Sequence, residues 1–203
     1  MSRRSALIVI IALALLALGS AWVTITLTTN RVPEQTLSSS AQIGGSFTLS
    51  AADGRTVTDQ TYRGKWLLIY FGYTFCPDAC PTALNNMSEA LDNLGADASD
   101  IQPLFITVDP KRDTPQVMAD YLKSFDSRIV GLTGSQTQTD SVAKAYRVYV
   151  APQKTDGDDY LVDHGAYAYV VNPQGKFANV IAGDAAGAEM AKKLREMIAH
   201  PGT

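Results

Sequence analysis

Trp66 to Phe71, WLLIYF, is a near-continuous apolar run, and a run with no polar alternation fits a strand covered on both faces. It is the expected centre of a sheet. Directly after it come Gly72-Tyr73-Thr74-Phe75 and Cys76-Pro77-Asp78-Ala79-Cys80-Pro81. From Pro81 to about Leu94, the residues Leu84, Met87, Ala90, Leu91 and Leu94 recur at the spacing of a core-facing helical stripe. A buried strand leading through a cysteine loop into a helix restricts the chain to α/β architectures, in which ligands gather at the carboxyl ends of strands.

The remaining pattern extends that unit on both sides. Phe47-Thr48-Leu49 and Val57-Thr58 flank Asp53-Gly54, which predicts an N-terminal β-hairpin. Leu104 to Val108 reads as a strand ending at Asp109-Pro110. Thr114 and Pro115 then read as N-cap and first-turn proline of a helix carrying Val117, Tyr121, Leu122 and Phe125. Ile129 to Leu132 is a third apolar strand, Ser135 to Tyr146 a helix, and Arg147 to Val150 a short strand. Ala166 to Val171 and Phe177 to Ile181 are joined by Asn172-Pro173-Gln174-Gly175 as an antiparallel hairpin, and Ala185 to Ala199 closes the chain as a helix. Parallel strands first, an antiparallel pair last and helices between them predict a thioredoxin-like mixed sheet flanked by helices.

The N-terminus assigns an address. Ala6 to Thr29 is 24 residues without a charge and follows Arg3 and Arg4. About 20 helical residues cross the hydrocarbon core of a bilayer, and basic flanking residues stay in the cytoplasm. The expectation is a cytoplasmic N-terminus and single transmembrane helix over 1–30, a linker, RVPEQTLSSSAQ, over 31–42, and a folded domain over 43–203. That domain would lie in the periplasm or an equivalent oxidising compartment, tethered to the inner membrane. A cleaved signal peptide is the alternative, because Leu7 to Leu18 has h-region length and Gly19-Ser20-Ala21 resembles a cleavage site. Trp22, Val23, Ile25 and Leu27 prolong the apolar run past that site and favour the anchor, and no cysteine follows for lipid attachment.

Charge narrows the partners. A net charge of −3 gives no basic face for nucleic acid.

Both cysteines of the chain, Cys76 and Cys80, therefore sit four residues apart in a compartment that oxidises thiols. A structural disulfide is the plain reading. Closing so short a loop stabilises by only about 2 kcal/mol on the loop-entropy estimate, so stability is a poor reason for the pair. With Pro81 inside the first helical turn, Cys80 lies at a helix N-terminus, where unpaired N–H groups and the dipole favour a thiolate. Two soft thiolates suit Cu(I), and an added imidazole lets the same site hold Cu(II); zinc accepts the same donors, so ligand type alone leaves the metal open. The chain has two histidines, and His200 lies near the C-terminus. His164, within Asp159-Tyr160-Leu161-Val162-Asp163-His164, is the candidate in the folded body. A lone histidine near a strand end is more often an ordinary hydrogen-bonded residue, yet in a thioredoxin fold the segment before the last hairpin passes beside the cysteine loop.

The chain resembles the Sco/SenC family of copper-binding assembly factors for cytochrome c oxidase. The resemblance runs from about Gly45 to Gly183. It rests on Phe71-Gly72-Tyr73-Thr74 with Cys76-Pro77-Asp78-Ala79-Cys80-Pro81, Val108-Asp109-Pro110 with Arg112-Asp113-Thr114-Pro115, Gly131-Leu132-Thr133-Gly134, and Asp159-Tyr160 with Val162-Asp163-His164. It implies that Cys76, Cys80 and His164 are copper ligands. It also implies that the partners are the copper-site subunit of the oxidase and other periplasmic copper carriers. Gly165 departs from the family, which commonly has serine after the histidine.

Three functions compete. A metallochaperone would deliver copper to the dinuclear centre of the oxidase. A thiol-disulfide oxidoreductase would use Cys76 and Cys80 as a redox pair, either to reduce the cysteines of that centre or in redox signalling. A peroxiredoxin would need Thr or Ser three residues before its attacking cysteine, where this chain has Tyr73. Asp78, Asp109 and Asp163 lie close to the site in sequence, and helix-start, turn and solvent roles account for them equally well. Tyr73, Phe75 and Tyr160 read as packing residues, with Tyr160 also placed to shield His164.

Overall fold

The structure, a computed structural model, describes residues 43–154 and 159–200. The segments assigned above to the membrane helix and linker lie outside the described residues, and no helix among the described residues is long and apolar enough to cross a membrane.

All seven residues of β3 (Trp66–Gly72) are buried, as its unbroken apolar run requires. On one side it pairs in parallel with β4 (Ile101–Thr107), which pairs in parallel with β5 (Val130–Thr133). On the other side lies β8 (Tyr167–Val171), antiparallel to β3 and followed by the edge strand β9 (Phe177–Ala182). The hairpin of β1 (Thr48–Ala51) and β2 (Thr56–Thr58) extends the far side by pairing β1 antiparallel to β5. Gly54 turns that hairpin with φ +84°, a conformation that costs glycine little. The resulting order is β2-β1-β5-β4-β3-β8-β9, the mixed sheet expected from the sequence.

Four α-helices among the described residues accompany the sheet. α1 (Ala79–Leu94) packs against α4 (Gly187–Ala199), and Leu84, Met87, Leu91 and Leu94 of the one and Met190 and Leu194 of the other lie buried in the core. α2 (Pro115–Leu122) begins as predicted, with the Thr114 side chain accepting from the Val117 N–H at 3.3 Å. Its buried residue is Met118, which faces Gly131 of β5, while Val117, Tyr121 and Leu122 are only half-buried. Tyr121, Leu122 and Phe125 of the expected stripe do pack against the core, and Met118 joins them as the most buried residue. α3 (Gln136–Ala145) is opened by a reciprocal capping box between Ser135 and Gln138.

One expectation is corrected. Arg147 to Val150 is not a strand, because Arg147 turns the chain with φ +56°. The strand β6 starts at Val150 (Val150–Lys154) and pairs antiparallel with β7 (Tyr160–His164) in a separate two-stranded sheet. Short, half-exposed strands with Pro152 inside one of them give little periodic signal. That detached hairpin carries His164 at its end.

Candidate metal centre

Each thiol is placed by a different element. Cys76 sits in the loop after β3, where the backbone N–H of Thr74 and its hydroxyl both donate to the buried carboxylate of Asp113, at 3.1 Å and 2.6 Å. Asp113 also accepts from the Thr107 hydroxyl at 2.6 Å, so the end of β4 is tied to the cysteine loop. Burial raises the Asp113 pKa, and the three donors offset part of that cost. Cys80 follows in the first turn of α1 with no exposure. A Cβ at Gly72 would stand 2.6 Å from the Cys80 sulfur and 2.8 Å from the Phe105 ring, so only glycine at the end of β3 leaves room for that sulfur.

The Asp78 side chain stands at the N-cap of α1 but caps nothing, remaining exposed with the Thr82 hydroxyl 3.5 Å away. The Cys76 sulfur takes its place, accepting from the Cys80 N–H at 3.4 Å. The thiolate consequently belongs to Cys76, which corrects the reading that put it on Cys80. A hydrogen bond from Cys80 lowers the Cys76 pKa to about 4, helped by His164 and the backbone N–H groups of Asp78 and Cys80. The same hydrogen bond, together with burial, pushes the Cys80 thiol far up. Proximity to a helix N-terminus is outweighed there by burial beside a thiolate.

His164 completes the group from the detached hairpin. Its Nε2 lies 3.2 Å from the Cys80 sulfur and its Nδ1 3.2 Å from the Gly165 carbonyl. The Nδ1 contact fixes the plane of the ring, and Nε2 is the ring atom that faces the sulfurs. The rings of Tyr70 and Tyr73 meet the imidazole edge-on at centroid distances of 6.0 Å and 5.9 Å, and the Tyr73 hydroxyl accepts from the Val162 N–H at 3.2 Å. The departure at Gly165 leaves this carbonyl contact intact.

The three donor atoms lie within 4.8 Å of one another. Metal–sulfur and metal–nitrogen bonds of about 2.0–2.3 Å put the donors of a single ion roughly 3.5–4 Å apart, so the set fits one metal with only small adjustment. Cys76 and His164 are partly exposed and Cys80 is buried, which leaves one open side. Among the described residues this is the only cluster of three such side chains.

The other residues singled out in the sequence divide. Asp163 is exposed and bonds Gln153 across its hairpin, turned from the site as an adjacent strand residue should be. Asp109 is buried and accepts from Arg112 and from the Tyr160 hydroxyl. Tyr160 therefore stacks on Arg112, and Phe75, expected to pack, is 52% exposed beside the same guanidinium. Sequence reading missed the parts played by Tyr70, Arg112 and Asp113. Only the Arg112-Asp113-Thr114-Pro115 motif carried a signal, and turn chemistry masked it.

A thioredoxin-like sheet with two cysteines at the β3–α1 junction and a histidine on the facing hairpin defines a thioredoxin-fold protein with a Cys2His donor set. Residues 35–199 match the SCO1/SenC family model, and the chain belongs to that family. It is 46% identical over 138 residues to the mitochondrial SCO1 homolog of Homo sapiens, covering 66% of this chain and 46% of the relative. It is 36% identical over 197 residues to an SCO2-like protein of Rickettsia conorii, covering 93% and 95%. The chain spans about half the length of the mitochondrial relatives it matches. Among solved structures, Bradyrhizobium japonicum ScoI with copper bound shares 42% identity at a TM-score of 0.72, over 76% of this chain and 98% of that one. Arabidopsis thaliana ScoI with copper bound shares 38% at 0.73, over 77% and 98%.

Proposed function

We propose that this chain is a copper metallochaperone that holds one Cu(I) or Cu(II) ion through Cys76, Cys80 and His164 and assists assembly of the dinuclear copper centre of cytochrome c oxidase. The observation that carries the reading is the convergence of those three donors within 4.8 Å, in a fold whose relatives have been solved with copper. Copper is the cargo. Two sulfurs suit its reduced state and the imidazole extends the site to the oxidised one. Cys80 anchors the ion from the interior, while Cys76 and His164 line the open side from which a partner's ligands can exchange. The Gly165 carbonyl and the Tyr70 and Tyr73 rings hold the imidazole in the plane that this exchange needs. The uncharged stretch Ala6 to Thr29 would tether the domain outside the inner membrane, beside the copper-site subunit and periplasmic copper carriers.

Anaerobic titration of the reduced protein with Cu(I) and with Cu(II) tests this. One equivalent of each should bind tightly, and His164→Ala should weaken Cu(II) by more than about 100-fold, beyond the range usual for removing an outer partner of a ligand. Binding well below one equivalent, or an unchanged His164→Ala, would overturn it.

The asymmetry of the thiols favours a second reading, reduction of the oxidase copper-site cysteines. The Cys76 thiolate attacks a partner disulfide and displaces one partner thiolate. Cys80 then loses its proton and attacks the Cys76 sulfur, releasing the second partner thiolate and leaving a Cys76–Cys80 disulfide. Two electrons pass to the partner, and an external thiol reductant must restore the pair. Full cellular activity in His164→Ala would favour this account over copper delivery.

A further inference from the structure

His164 rides on a hairpin that belongs to no part of the main sheet, so its position depends on contacts made outside any ladder with β8 or β3. Beside the Val162 N–H bond to the Tyr73 hydroxyl and the tyrosine rings on His164, those at the start of β7 converge on one side chain. Arg112, in the turn between β4 and α2, donates through Nε to Asp109 and through Nη1 to the Asp159 carboxylate at 2.9 Å and the Tyr160 carbonyl at 3.0 Å. Its guanidinium carbon lies 3.7 Å from the centroid of the Tyr160 ring and 4.8 Å from that of Phe75. Tyr160 opens β7, the strand that ends in His164, and Phe75 directly precedes Cys76. The Tyr160 hydroxyl closes the circuit by donating to Asp109 at 2.8 Å.

We infer that Arg112 is a positioning residue for the metal centre, a latch that fixes the His164 hairpin against the cysteine loop. Its side chain is 16% exposed, with Nη2 buried and unpartnered, which is more burial than a surface ion pair would show. Asp113, the next residue, pins the other segment by holding Thr74. One short turn thus registers both donor-bearing segments: Asp113 sets the cysteines and Arg112 sets the histidine. Lysine cannot replace the latch, because it lacks the planar fork that bonds two groups while stacking on a ring.

The inference rests on the copper reading for its affinity arm only. The test is Arg112→Lys in the full chain in detergent, with hydrogen exchange read on the metal-free protein and Cu(II) alone as the binding probe. Exchange across Tyr160–His164 should accelerate by about tenfold or more while β3 and β4 keep wild-type protection. Cu(II) should bind about 10–100-fold more weakly, the usual cost of removing a partner that orients a ligand, with an altered sulfur-to-copper absorption band. Wild-type exchange in the hairpin overturns the inference, as does acceleration spread equally over β3, which would mark general core support. Should Arg112→Lys fail to fold, Tyr160→Leu removes the stacking ring and must give the same local pattern. If the wild-type chain binds no copper, the function proposed above fails, whereas the exchange comparison still decides the latch.

Discussion

The Cys80 sulfur lies 3.2 Å from His164 Nε2, joining side chains 84 positions apart. Cys80 stands at the start of α1 and His164 at the end of a detached hairpin, so the contact reports how well two separate segments are held in register.

The reduced, metal-free protein should carry a stable thiolate at Cys76. Its pKa, lowered to about 4 chiefly by the hydrogen bond from Cys80, lies far below the roughly 8.5 of a free thiol. Because the folded value is depressed, the resulting stability is fully present above about pH 8.5 and is lost as pH falls through the folded value. Alkylation of Cys76 by iodoacetamide should be nearly flat from roughly pH 5.5 to 8, where an ordinary thiol gains about tenfold per unit. A tenfold rise per unit would contradict the assignment.

Gly72→Ala should disturb the site from behind. The added methyl meets the Cys80 sulfur and the Phe105 ring inside contact distance. Overpacking of this kind costs about 1–3 kcal/mol, visible as a lowered midpoint in urea unfolding, and the displaced sulfur should weaken copper binding in parallel. Unfolding unchanged from wild type would show that the strand end has slack.

Tyr73→Phe keeps the ring against His164 but removes the oxygen that accepts from the Val162 N–H. A buried amide left without a partner costs about 1–3 kcal/mol. Hydrogen exchange at Val162 should rise sharply while β3 and β4 stay protected; equal protection at Val162 would refute the bond.

Thr114→Ala removes the N-cap of α2 and should cost about 1 kcal/mol in chemical unfolding. Copper affinity should stay near wild type, because the exposed Thr114 side chain bonds the Val117 N–H on the helix side of the turn. This separates a general loss of stability from loss of the site.

Much of the architecture was legible because its signals are local. The β3 run, the turns at Gly54 and Gly175 and the caps at Thr114 and Ser135 each fix an element through nearest neighbours. The β6–β7 hairpin was not, since half-exposed short strands have no apolar period and are stabilised by contacts from distant residues. The candidate donors were visible as residue types in order, and family resemblance singled out His164. The division of charge between the cysteines was hidden, because it depends on the burial of Cys80 and the direction of one hydrogen bond. Arg112 likewise looked like a turn residue, its partners Tyr160 and Asp159 lying more than forty positions away.

Copper K-edge X-ray absorption of the Cu(I)-loaded protein tests the central claim most directly. The account predicts two sulfur neighbours and one imidazole nitrogen per copper, at about 2.0–2.3 Å, with the imidazole signal lost in His164→Ala. A wild-type spectrum with a single sulfur, or with no imidazole contribution, would contradict it.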